Sequence, residues 1–234
     1  TLHSFLRNVS ECTKVNGYFI GTCYDGERVF KMLKNKNKGE SVSIYSGEDK
    51  IYQVKKQYTF SGFPDDEYSL NYAIDIYQES INKMFREYLV NFQYLTRVLE
   101  NYGFTLINDE EARNLQLPSG SGLFDELFSE MKQELERSLG KQDYAYALNM
   151  SDEEKQISFM NRYFVFRKSH NVNAEKVYKL MLSKQHSHID DDEVEEDEKD
   201  DNVDVPKKAP VIIRKLPGDK VKLKIKNVQH PKTV

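Results

Sequence analysis

Apolar positions along this chain recur with two different periods. Leu2, Phe5, Leu6, Val9 and Cys12 return at three- and four-residue intervals, which predicts a helix running in from Thr1. Tyr18, Phe19 and Ile20 then form a short unbroken apolar run, opened by Asn16-Gly17 and closed by Gly21-Thr22. Unbroken rather than alternating apolarity predicts a strand buried on both faces of a parallel sheet. The polar stretch Thr22 to Glu27 follows at the strand's carboxyl end, where open α/β sheets place their ligands. It is the first candidate for a functional surface.

A short helix is predicted over Glu27–Leu33, with Val29, Phe30 and Leu33 inward, and a loop over Asn35–Ser46. Ile51–Tyr58 and Tyr72–Tyr77 read as two strands. In the second, Tyr72, Ile74 and Ile76 alternate with Ala73, Asp75 and Tyr77, the period of a half-exposed strand, so a hairpin or small two-stranded insertion is expected here. Leu89, Phe92, Leu95, Leu99 and Tyr102 make a helical stripe over Phe85–Tyr102, ended by Gly103. Phe104–Ile107 is a further strand, and Leu123–Leu139 a further helix through Phe124, Leu127, Phe128, Met131 and Leu135. Ser151 with Glu154 is a capping box. Arg162–Lys168 reads as the last strand and Ala174–Lys184 as the last helix. The order predicts an α/β fold: the second half of a doubly wound sheet whose final strand returns antiparallel, as in class I methyltransferases.

Composition changes this picture mainly at the C-terminal end. The apolar share is 38% and the charged share 31%, so part of the chain is expected to lie outside the core. Asp190–Asp204 holds eleven acids and one lysine, whereas Lys207–Val234 holds nine Lys/Arg and one acid. Residues 1–184 are therefore expected to form the domain, 185–206 an acidic disordered linker and 207–234 a basic tail. No run approaches bilayer-spanning length. Cys12 and Cys23 lack metal-ligand spacing and are expected to be buried, reduced thiols; a disulfide is not indicated. His186 and His188 beside the acids read as solvated tail rather than a metal site, and no Ser-His-Asp or Cys-His set is evident.

Three stretches carry a resemblance. Lys14-x-x-Gly17-Tyr18-Phe19-Ile20-Gly21-Thr22 with the polar loop after it, Arg86-Glu87-Tyr88-Leu89-Val90-Asn91-Phe92, and Tyr163-Phe164-Val165-Phe166 resemble the later half of the mRNA cap guanine-N7 methyltransferases. Gln78-Glu79-Ser80-Ile81-Asn82 ahead of the second stretch looks similar to the multifunctional capping enzymes of large DNA viruses. The resemblance runs from Thr1 to about Lys168. It implies that Glu87 accepts hydrogen bonds from the cap guanine, whose N1–H and N2–H are parallel donors suited to a carboxylate. By itself, a Glu opening a helix is also what the macrodipole favours. It further implies that Tyr163 lines the cap pocket. Many relatives have a cap-contacting proline where Tyr24 stands, so Tyr24 departs from the pattern and is a candidate face for the base.

The resemblance implies S-adenosyl-L-methionine (AdoMet) as methyl donor, the capped 5′ end of mRNA as partner, and guanylyltransferase and triphosphatase domains on the same polypeptide. Host cytoplasm or virion is the expected location for a viral enzyme, and the nucleus otherwise. No general base is required, because guanine N7 offers a free lone pair. The rival reading is a catalytically silent methyltransferase-like subunit that stabilises an active partner. The glycine-rich AdoMet loop and its acidic ribose partner have no counterpart in this sequence, so the sheet's first half is expected upstream. Calorimetric titration of AdoMet into residues 1–234 should therefore show only weak binding and little activity; tight binding would sink the half-sheet expectation.

Overall fold

The structure, a computed structural model, describes residues 2–137, 144 and 146–187. The chain order is α1 (Leu2–Cys12), β1 (Tyr18–Tyr24), α2 (Gly26–Met32), β2 (Ser41–Ser46), β3 (Asp49–Lys56), β4 (Ala73–Gln78) and β5 (Lys83–Tyr88). It continues with α3 (Phe92–Asn101), β6 (Phe104–Leu106), α4 (Asp109–Asn114), β7 (Ser121–Leu123), α5 (Phe124–Arg137), α6 (Asp152–Ser158), β8 (Asn161–Lys168) and α7 (Ala174–Ser187). Residues 138–143, residues 188–206 of the acidic linker and the basic tail lie outside the described residues, whereas residues 185–187, expected to open the linker, end α7.

Two sheets organise these elements. In the first, β8 is central and pairs antiparallel with β1, β6 and β7. The antiparallel return expected of the last strand is present. Side chains alternate across β8. Phe164 and Phe166 enter a core with Leu6, Leu95, Val98, Leu99 and Tyr102, while Val165 packs on Ile107 and Ala112. Lys168 is buried at the end of β8, where its ammonium donates to the carbonyl and hydroxyl of Ser10 in the last turn of α1. The second sheet runs β2-β3-β4-β5, all antiparallel. Its inner residues Ile44, Tyr52, Val54, Ile74 and Ile76 close on Val29 of α2, on Leu33 that caps it, and on Met160.

The joint between the sheets is made of backbone. The Asp25 amide donates to the Met160 carbonyl (2.8 Å) and the Gly26 amide to the Val90 carbonyl (3.1 Å).

Several expectations are corrected. The run Tyr18–Ile20 is not buried on both faces of a parallel sheet: β1 pairs antiparallel with β8, and Ile20 is 67% exposed. Only the Phe19 side packs, against the rings of Phe104 and Phe164. The two-stranded insertion is a four-stranded sheet. Ser41–Ser46, read as loop, is β2, and Phe85–Tyr88, read as the start of a helix, belongs to β5. Asn82, at φ 51°, makes the turn between β4 and β5, and the helix waits for Asn91, whose side chain caps it through the Tyr94 amide. Met84, Phe85 and Tyr88 mimic a helical stripe, but cross-strand pairing with β4 wins. The short elements α4 and β7 were not foreseen either, although Asn108 and Glu111 form a capping box. Cys12 is exposed rather than buried, Cys23 is half-buried, and both are free.

Gly26 tests the joint. A Cβ there would lie 2.3 Å from the Val90 carbonyl oxygen and 2.8 Å from the Phe63 ring. Gly26→Ala should cost roughly 1–3 kcal/mol by overpacking, read from urea midpoints. Gly62→Ala, which meets nothing within 4 Å, is the control and should stay near wild type.

Candidate functional site

Glu87 lies near the end of β5, opposite Ile74, on the face of the sheet that carries Ile74 and Ile76 inward. It is on a strand, so the helix-start explanation of this acid does not apply. Its neighbour Arg86 points to the other face and is held by Asp75, through two guanidinium contacts, the second at 3.1 Å. That pairing, with a further donation from Gln57, keeps the Asp75 carboxyl below the usual carboxylate range. Glu87 has no such arrangement. Among the described residues it has neither a hydrogen bond nor an ion pair, and desolvation raises its pKa above the ordinary value. Glu87 is exposed, as is every residue of β5, so its carboxylate is open to N–H donors of a ligand, and no protein group competes for it among the described residues.

Tyr24 ends β1 and packs on the core of the second sheet. Its hydroxyl accepts a 2.7 Å hydrogen bond from the buried Tyr52. Burial pushes the Tyr24 phenol up, the Tyr52 hydrogen bond opposes this, and the charge of Glu87 adds to the rise. Burial also raises Tyr52, and Glu87 acts on it in the same sense. The structure thus brings Glu87 and Tyr24 into one electrostatic neighbourhood.

Tyr163 is placed differently. It pairs with Thr22 across the sheet, two positions from Asn161, which stands opposite Tyr24. Its ring is 7% exposed and lies against Gly122, and its hydroxyl is 3.2 Å from both the hydroxyl and the carbonyl of Ser119. Tyr24 and Tyr163 share a sheet face, but the Tyr163 hydroxyl is already satisfied.

Asp25, the residue after Tyr24, is a positioning residue that the sequence reading passed over. It is 6% exposed and caps α2, accepting from the Arg28 amide (2.9 Å) and from Arg162 Nε (2.8 Å). The Arg162 guanidinium lies 4.7 Å over the Phe92 ring and donates to Ser121 Oγ. Arg28 in turn donates to the Phe159 carbonyl and to Asp125. The available signal was an Asp two residues before the helix predicted from Glu27, an N-cap pattern once the helix starts at Gly26.

A cavity of about 390 Å³ opens between α1, β1 and the segment Tyr88–Asn91, with Leu2, Phe5, Thr22, Cys23 and Tyr88 among its walls. No Asp or Glu lines it. Burial pushes the Cys23 thiol up to about 11, so it stays protonated and is no nucleophile at neutral pH. No group of three or more metal-ligating side chains occurs among the described residues, and His186 and His188 are not among the side chains described.

Comparison with known proteins follows the same lines. Residues 2–169 match the mRNA (guanine-N(7))-methyltransferase domain. The chain is also similar to a protein described as a probable mRNA-capping enzyme of Acanthamoeba polyphaga mimivirus, at 26% identity over 189 residues. That alignment covers 73% of this chain and 16% of the relative.

Glu87 should also leave a mark on stability. Its folded-state pKa is raised, so stability is full below the ordinary carboxyl range and is lost as pH rises through the raised value. Glu87→Gln removes that penalty. Melting temperatures should favour the variant at about pH 7 and converge with wild type at about pH 3.5; a variant less stable at neutral pH would contradict this.

Proposed function

The chain belongs to the mRNA (guanine-N(7))-methyltransferase domain family, and from that premise we propose that it methylates N7 of the RNA cap guanosine as part of a longer capping polypeptide. The observation that carries this is the unpaired carboxylate of Glu87 on the inner face of β5, within Arg86–Phe92. Guanine's Watson–Crick edge presents N1–H and N2–H side by side, and Glu87 accepts both. Adenine lacks this donor pair and would leave the carboxylate facing an acceptor. Guanine becomes cationic as N7 is alkylated, so the same carboxylate stabilises the transition state electrostatically. No proton leaves N7, and this chain needs no general base. What remains for the protein is to hold the base in line with the incoming methyl group.

The family implies a methyl donor, for which we take AdoMet. The cavity beside α1 offers no carboxylate for ribose hydroxyls, and we do not read it as a complete AdoMet site. We read β1, β8 and β6 as the second half of a Rossmann-like sheet, with β2–β5 inserted. The free edge of β1, whose only partner strand among the described residues is β8, suits a parallel neighbour from the other half. Tyr24 is assigned to the wall of the cap site beside Glu87. Tyr163 lies behind Tyr24 on the same sheet face and reaches the cap only if its bond to Ser119 opens.

The capped 5′ end of RNA is the partner this reading requires. Guanylyltransferase and triphosphatase domains on the same polypeptide fit a chain that spans 16% of its capping-enzyme relative. Residues 188–206 and 207–234 are read as acidic linker and basic tail outside the domain. A viral factory in the host cytoplasm, or the virion, is the location that fits a viral relative. No helix among the described residues is long and apolar enough to cross a membrane. The catalytically silent reading is not favoured, since both the family and the capping-enzyme relative support cap methylation.

Glu87→Gln in the intact protein tests the assignment. It keeps size but turns an acceptor toward N–H into a donor, costing about 2–4 kcal/mol of transition-state binding. Cap methylation should fall by roughly one and a half to three decades, with AdoMet affinity nearly unchanged. Normal turnover by this variant would remove Glu87 from the site.

A further inference from the structure

We propose that Phe85 supplies the aromatic face against which the base held by Glu87 lies; the inference rests on the cap-methylation reading above. The cross-strand register puts Phe85 opposite Ile76 and Glu87 opposite Ile74. Residues directly opposite share a face, and so do residues two apart. Phe85 and Glu87 therefore stand on the same inner face of β5, roughly 6.5–7 Å apart along the strand.

All six residues of β5 are exposed, and Phe85 is the large apolar side chain on the face that Glu87 shares. Its cross-strand partner Ile76 is 3% exposed, whereas Phe85 is 41% exposed. β5 is an edge strand that pairs only with β4 among the described residues. Nearby aromatic residues find one another: Phe30 stacks on Tyr58 and Phe63, and Tyr58 meets Tyr72 at 4.8 Å. Phe85 has no ring partner among the described residues. Edge strands are ordinarily guarded by charge or proline, because an exposed apolar edge invites aggregation. An open ring beside an unpaired carboxylate is instead a pair of complementary groups, one for the edge of a base and one for its flat face.

The chemistry explains why the pair is needed. A carboxylate gripping N1–H and N2–H leaves the base free to swing about those two bonds. The N7 lone pair lies in the base plane, so the plane must be set before N7 can point at the methyl group. A ring two residues along the same strand face reaches the flat side of a purine whose edge meets Glu87. Tyr24 is less suited to this task, because its ring is packed into the second sheet's core and its hydroxyl is tied to Tyr52.

The experiment measures binding of the cap dinucleotide GpppA to the intact protein, with S-adenosylhomocysteine binding and melting temperature read alongside. Phe85→Ala should weaken GpppA binding roughly 5- to 100-fold and leave S-adenosylhomocysteine affinity and melting temperature unchanged. Phe85→Tyr, which keeps the aromatic face, should stay within roughly two-fold of wild type by the same reasoning. If Phe85→Ala melts early, Phe85→Leu, which keeps apolar bulk without the aromatic face, decides by the same measurement. GpppA affinity unchanged in Phe85→Ala but lost in Glu87→Gln overturns the role of Phe85 and leaves the reading of Glu87 standing. Equal losses for GpppA and S-adenosylhomocysteine mark Phe85 as merely structural and likewise overturn it. GpppA affinity unchanged in both variants removes β5 from the cap site altogether.

Discussion

The Asp25 carboxylate is the contact on which the arrangement of this domain depends. One oxygen takes the Arg28 amide at the start of α2, and the other takes Arg162 from β8. Its own backbone amide reaches Met160, and the next amide reaches Val90. Three stretches distant in sequence, residues 25–28, 90 and 160–162, are thereby fixed around one buried acid. A buried carboxylate is tolerated only when its lone pairs are filled, and losing one partner leaves a costly uncompensated charge. Tyr24 is set by this junction, since it is the residue before Asp25, and so is the end of the Arg86–Phe92 segment, since Val90 bridges to Asp25.

Glu87 is built on the opposite principle. Other acids of the domain are paired: Asp25 with Arg162, Asp125 with Arg28, and Asp75 with Arg86, with Gln57 donating to it as well. Glu87 is left without a partner in a setting that disfavours its charge. Functional sites hold such groups because the ligand, rather than the fold, completes them. The second sheet presents the acid on a rigid strand end, and the register of β4 with β5 decides which side chains share its face. A one-residue slip would exchange Glu87 and Phe85 for Arg86 and Met84.

The elements read correctly from sequence were those with strong local signals. Helix α1 showed its three-and-four spacing, Gly103 takes φ +84° after α3, Ser151 and Glu154 form the capping box of α6, and β8 follows its compact apolar run. The motifs around Glu87, Tyr24 and Tyr163 were equally visible, because side-chain chemistry in a fixed local order survives without coordinates. The capping-methyltransferase resemblance rested on those letters, and the family match over residues 2–169 bears it out.

Tertiary structure alone decided the rest, and the reason is that it concerns pairing between distant segments. Phe85 and Tyr88 satisfy helical spacing, while Met84 and Tyr88 also fit strand alternation, and only β4 beside them makes the segment a strand. Ser41–Ser46 has a single buried residue, Ile44, too weak a local pattern to separate strand from loop. The apolar run Tyr18–Ile20 predicts burial, yet burial depends on neighbours, and along this run only Phe19 meets packed rings among the described residues. Tyr163 fits the family's strand pattern in sequence where Tyr24 departs from it, yet Ser119, forty-four residues away, lies 3.2 Å from the Tyr163 hydroxyl. The amino-acid order by itself determined which chemical groups this protein has and which local elements they start or end. Which of those groups are neutralised and which stand open for a ligand was set by cross-strand register and by ion pairs between remote residues, which no local pattern encodes.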